Sequence, residues 1–218
     1  MASATTAAVI AGTTAAAAYI DAKLHLSKDI GQLWMLKAAE REATRALNTK
    51  RLSPLYFFEE SVRNYGDTEA IWSREGTYTW SETHTKACQY AAYFLEQDIR
   101  PGELVAFYLQ NSPEFIFAWL GLWAIGCAPA MINFNLAGDA LVHCLKVSGA
   151  EVVVIDEEER LRTRIESETQ SIQKLGIHAI VLSGELKSSI AAKSAQRPDD
   201  SYREGLEASF PSVLFYTR

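Results

Sequence analysis

Cysteine is scarce in this chain: three in 218 residues, Cys88, Cys127 and Cys144, with no C-x-x-C pair. An odd, scattered set lying in apolar runs excludes a disulfide framework and fits a reducing compartment. No N-x-S/T sequon occurs, and G-x-S-x-G, H-E-x-x-H and G-x-G-x-x-G are missing too. The four histidines, His25, His84, His143 and His178, show no metal-ligand spacing, which argues against a zinc site. Gly121 and Gly126 have the spacing of a phosphate loop, but Cys127 and Ala128 stand where Lys and Ser/Thr are needed. The acidic run Asp156 to Glu159 reads as a solvated helix start. Basic stripes are lacking as well: 21 Lys plus Arg face 27 Asp plus Glu, a net charge of −6 that argues against nucleic acid as a partner.

What is there is an ordinary globular composition, 48% apolar and 22% charged. The length suits one large domain or two small ones. Residues Ala2 to Ile20 carry no charge, and nine of the nineteen are alanine. A span of roughly 20 apolar residues can cross a hydrocarbon core. Here threonines and a glycine dilute the stretch, so it reads as either a membrane anchor or an Ala/Thr-rich tail. Lys28 to Leu47 reads as an amphipathic helix with Ile30, Leu33, Trp34 and Leu36 on its apolar face. Such a helix packs on its own domain or lies in a membrane interface with Trp34 at headgroup level. Lys23, Lys28 and Lys37 would hold the following chain on the cytosolic side.

From Leu55 the periodicity alternates. Ala70 to Trp72 and Thr77 to Trp80 predict a hairpin around Glu75-Gly76. Ser81 is an expected N-cap for a helix carrying Cys88, Ala91, Ala92 and Leu95 at i, i+3, i+4 and i+7. Leu104 to Leu109, Ala128 to Ile132 and Glu151 to Ile155 are continuous apolar runs, expected as strands buried on both faces. Ser112-Pro113-Glu114 starts a helix that Gly126 ends. Asp139 to Val147 is a short helix closed by Gly149, Glu157 to Leu175 another helix, and Ile177 to Leu182 a strand. Ser183 to Ala208 reads as loop-rich, and Val213 to Tyr216 as a last strand. Strands alternating with helices imply an α/β fold with a doubly wound, mainly parallel sheet and a helical N-terminus. The expected organisation is 1–20 as the uncharged segment, 21–54 as an amphipathic helical linker and 55–218 as the α/β domain.

Certain stretches resemble a known family. Tyr78-Thr79-Trp80-Ser81, then Asn111-Ser112-Pro113-Glu114-Phe115, Gly121-Leu122 and Gly126-Cys127-Ala128-Pro129-Ala130 are similar to the N-terminal core of adenylate-forming acyl-CoA synthetases. Ile132-Asn133-Phe134-Asn135-Leu136 with Leu141-Val142-His143-Cys144-Leu145 resembles the fatty acid transport protein, or very-long-chain acyl-CoA synthetase, branch. The resemblance implies ATP, Mg and CoA as cofactors and a fatty acid or other acyl substrate. It also implies a membrane-associated protein with a cytosolic domain, at the endoplasmic reticulum, peroxisome or lipid droplet. Phe210 to Thr217 resembles the strand leading into the family's Y-T-S-G-T-T-G-x-P-K phosphate loop. Only Tyr216 and Thr217 match that loop, as its edge, so no catalytic residue is carried over. The expectation is a truncated homologue that is not catalytic alone. The alternative is a non-catalytic interaction protein associating with itself, a paralogue or a membrane.

Overall fold

The computed structural model describes residues 4–49, 51, 53–207 and 209–216. It divides at residue 50 into two compact units. The first holds two helices, α1 (Ala4–Leu24) and α2 (Leu26–Asn48). Asp21 separates them by capping: its carboxylate accepts the Ser27 amide at 2.6 Å and the Ser27 hydroxyl at 2.7 Å. No residue of α2 is buried, and Ile30, Leu33, Trp34, Met35 and Leu36 are each more than half exposed. Among the described residues no helix is long and apolar enough to cross a membrane. Alanine and threonine dominate α1, whose larger apolar side chains are few.

The second unit opens with α3 (Leu55–Tyr65), then a hairpin of β1 (Glu69–Trp72) and β2 (Thr77–Thr79). Helix α4 (Trp80–Glu96) has its cap two residues before the expected Ser81. Thr79 is the N-cap: its hydroxyl accepts the Glu82 amide at 3.1 Å, and the Glu82 carboxylate accepts the Thr79 amide at 2.8 Å. Glu82 stands three residues after Thr79, so the reciprocal capping box can form only there.

Five parallel strands follow: β3 (Leu104–Tyr108), β4 (Ala128–Met131), β5 (Val152–Asp156), β6 (His178–Leu182) and β7 (Leu214–Phe215). Their order across the sheet is β6-β5-β3-β4-β7. The three continuous apolar runs thus form the interior strands, where both faces and both edges are covered. Between them run α5 (Pro113–Ala124), α6 (Gly138–Ser148), α7 (Glu159–Ser167), α8 (Thr169–Lys174) and α9 (Gly184–Ala191). One core unites Phe94, Phe107, Phe117, Leu122 and Ile190 with Val154 on one face of the sheet. On the other, Ala106, Tyr108 and Ile155 pack with Leu141, Leu145, Leu161 and Ile165. Helices α4, α5 and α9 therefore cover one side and α6 to α8 the other, the doubly wound arrangement expected.

Three further expectations change in detail. The Glu157–Leu175 helix divides at Glu168 into α7 and α8. The stretch read as loop-rich contains α9, capped by Ser183, whose hydroxyl accepts the Leu186 amide at 3.2 Å. The last strand is two residues long, Leu214 and Phe215, paired with β4.

Candidate functional site

Adjacent strands β3 and β4 send their connections to opposite faces, α5 to one and α6 to the other. In open α/β sheets such a reversal opens a crevice beyond the carboxyl ends of the strands. The parallel register of β7 on β4, Ala130 with Leu214 and Met131 with Phe215, brings Tyr216 out at that same edge.

The turns beyond these strand ends are built by local capping. After β3, the Ser112 hydroxyl accepts the Phe115 amide at 3.2 Å, and Pro113 follows at the first helical position. After β4, Asn133 folds the chain by accepting the Asn135 amide at 2.9 Å. Two side chains latch this turn from below: Tyr108 Oη donates to the Leu136 carbonyl at 2.6 Å, and the Arg164 guanidinium donates to the Phe134 carbonyl at 2.8 Å. After β5, Asp156 accepts the Glu158 amide at 3.1 Å. Glu157 accepts the Gly184 amide at 2.8 Å and pairs with Lys187 at 2.9 Å.

Tyr216 itself points into the α6-side core, and its buried hydroxyl makes no hydrogen bond to the described residues. Burial pushes this phenol up from its ordinary range. Thr217 lies outside the described residues. Among the described residues no group of three or more His, Cys, Asp or Glu could hold a metal ion.

A second polar cluster, which sequence reasoning missed, lies on the opposite face around the segment joining α9 to β7. Glu59 of α3, only 7% exposed, accepts Arg197 through both oxygens, at 2.5 and 3.0 Å. Arg197 and Arg203 each donate to Asp200 at 2.6 Å. Arg203 is 3% exposed and also donates to the carbonyls of Ala124 and Pro198. His84 approaches Glu59 at 3.8 Å and the Cys88 sulfur at 3.9 Å. The one sequence signal was the spacing of Arg197, Asp200 and Arg203 at threes, which alone reads as an exposed ladder.

A parallel sheet with helices on both faces defines a doubly wound α/β domain. The match to the family described as AMP-binding enzyme covers residues 58–217, and the chain belongs to that family. It is 41% identical over 181 residues to isopenicillin N epimerase component 1 of Hapsidospora chrysogena, covering 83% of this chain and 30% of that protein. It is 28% identical over 212 residues to the very long-chain fatty acid transport protein of Cochliobolus heterostrophus, covering 95% and 32%. The chain thus spans about a third of the length of these curated relatives. Among solved structures, a Mycobacterium tuberculosis fatty acyl CoA synthetase superposes with a TM-score of 0.68 at 17% identity, over 78% of this chain and 33% of that one. The N-terminal domain of FACL13 from Mycobacterium tuberculosis superposes with a TM-score of 0.65 at 18% identity, over 75% and 41%. Both share the fold.

Proposed function

We propose that these residues are the N-terminal part of an ATP-dependent acyl-CoA ligase of the fatty acid transport protein branch. In that reaction a carboxylate displaces pyrophosphate from ATP, with Mg offsetting phosphate charge, and the acyl group then passes from AMP to the thiol of CoA. The observation that carries the reading is the placement of β7: parallel to β4, it carries Tyr216 to the carboxyl edge of the sheet beside the β3/β4 crevice. Tyr216 and Thr217 would then form the edge of a phosphate loop. The segment's contribution is scaffold and crevice wall, and the described residues supply none of the reacting groups.

The membrane surface is the proposed location of the first unit. Its exposed Ile30, Leu33, Trp34 and Leu36, with Lys28 and Lys37 nearby, suit an interfacial helix on a cytosolic leaflet.

A chimera tests the ligase reading. Residues 1–216 replace the matching third of the 41% identical relative, and exchange is measured with fatty acids and with isopenicillin N, the substrate class in that relative's name. Exchange with any of these carboxylates supports the reading. A folded chimera inactive with all of them, beside an active parent, refutes it.

A further inference from the structure

The edge strand β7 is held weakly by its own pairing. It has two ladder residues and one neighbouring strand, and Phe215 is 63% exposed. Its position is set elsewhere, by the segment of residues 192–213 that carries the chain from α9, beside edge strand β6, to the opposite edge of the sheet. Crossing the three interior strands takes roughly 19 Å, at about 4.8 Å per strand step.

This strap is tied down at Lys193, from Arg197 to Arg203, and at Ser212. Lys193 pairs with Glu96 of α4 at 2.6 Å. The knot of Glu59, Arg197, Asp200 and Arg203 follows, with Arg203 buried and bonded to the carbonyl of Ala124, the last residue of α5. Tyr202 crosses Gly126 so closely that a Cβ there would lie 2.2 Å from the Tyr202 carbonyl oxygen. Finally Trp123 Nε1 donates to the Ser212 carbonyl at 2.7 Å, two residues before β7. An Arg–carboxylate fork fixes direction as well as distance, and a buried guanidinium left without its partner is strongly disfavoured. The knot therefore has one favourable arrangement, and the chain beyond it inherits that geometry.

We propose that Glu59, Arg197, Asp200 and Arg203 are positioning residues that set where β7 leaves the sheet and so aim the residues after Phe215 at the crevice. The aiming of a nucleotide loop rests on the ligase reading above; the control of β7 does not. The argument is mechanical. The two-residue ladder cannot resist a shift of the strap, whereas the knot is anchored to α3 and α5, which pack on the core.

Amide hydrogen exchange on the 218-residue chain tests the control of β7. Asp200→Asn keeps the side-chain shape and removes the charge shared by Arg197 and Arg203. Exchange in residues 209–216 should rise at least about tenfold, with β3 and β5 unchanged. Glu59→Gln, which leaves Asp200 in place, guards against a variant that fails to fold and should act on the same residues. Unchanged exchange at 209–216 in a folded variant overturns the proposal, as does a uniform rise across the sheet in both variants. The aiming is tested in an active chimera, where Asp200→Asn should raise the KM for ATP about tenfold and leave that for the acyl substrate near its starting value. An unchanged KM for ATP overturns the aiming. An inactive parent chimera refutes the ligase reading instead, and the exchange experiment still decides the control of β7.

Discussion

Glu59 and Arg197 stand 138 positions apart in the chain and meet through two parallel hydrogen bonds at the side of the sheet. His84 shares the carboxylate. Burial pushes Glu59 up, but the nearby His84 imidazole and the hydrogen-bonded Arg197 outweigh it and hold the carboxyl at about 2. His84 is raised by Cys88 and by Glu59 to about 9.

These shifts set a pH profile. A lowered carboxylate stabilises the fold above its ordinary 4.5, and that contribution is lost as pH falls towards about 2. A raised imidazole stabilises below 6.5, and its contribution is lost as pH rises towards about 9. Urea midpoints should therefore peak between the two ordinary values and fall on both sides. Glu59→Gln should flatten the acid limb and weaken the alkaline one. Identical profiles for the two proteins would refute the assignment.

Thr79 and Ser81 separate two accounts of how α4 begins. Thr79→Ala should lower stability by about 1 kcal/mol through loss of the cap. Ser81→Ala should stay within about 0.5 kcal/mol, since Ser81 is exposed and its amide, not its hydroxyl, bonds to the Gly66 carbonyl. Denaturant titration of both variants decides; equal losses would contradict the capping geometry.

Gly126 and Gly149 both have left-handed backbone, φ +74° and +67°, yet a Cβ meets nothing within 4 Å at Gly149. Gly149→Ala should lose about 1 kcal/mol from backbone strain alone. Gly126→Ala adds a collision with backbone at Tyr202 and should lose about 3 kcal/mol or more. Matching losses would mean that the strap lifts away at no cost.

Lipid association offers a fourth expectation. The 218-residue chain should co-sediment with vesicles containing anionic lipid, and Leu33→Asp with Trp34→Asp should weaken this about tenfold or more. Undiminished sedimentation of the double variant would place the contact elsewhere.

The central strands were legible because β3, β4 and β5 are covered on both faces, so nearly every residue is apolar. The hydroxyl, proline and carboxylate at Ser112-Pro113-Glu114 announced α5 for an equally local reason. Helix α9 escaped notice because its sequence, Gly184-Glu185-Leu186-Lys187-Ser188-Ser189, is polar. It is held by the Ser183 cap and by Glu157 reaching back from beyond β5. The candidate site was legible only at Tyr216, through a resemblance. The knot that steadies its strand was hidden, because Glu59 and Arg197 belong to distant stretches that nothing local connects.

The place of β7 in the sheet also bears on the order of assembly. Strands β3 to β6 are complete in the chain by Leu182; β4 and β6 each pair with the strand just before them, and β5 pairs with β3. β7 must instead close the long loop back to Ala130, and long closures are made late because their entropy is lost before any contact forms. On a ribosome the four-stranded sheet can form first, leaving the flank of β4 open until residues 192–216 emerge. The wall at Tyr216 is thus laid down after strands β3 to β6.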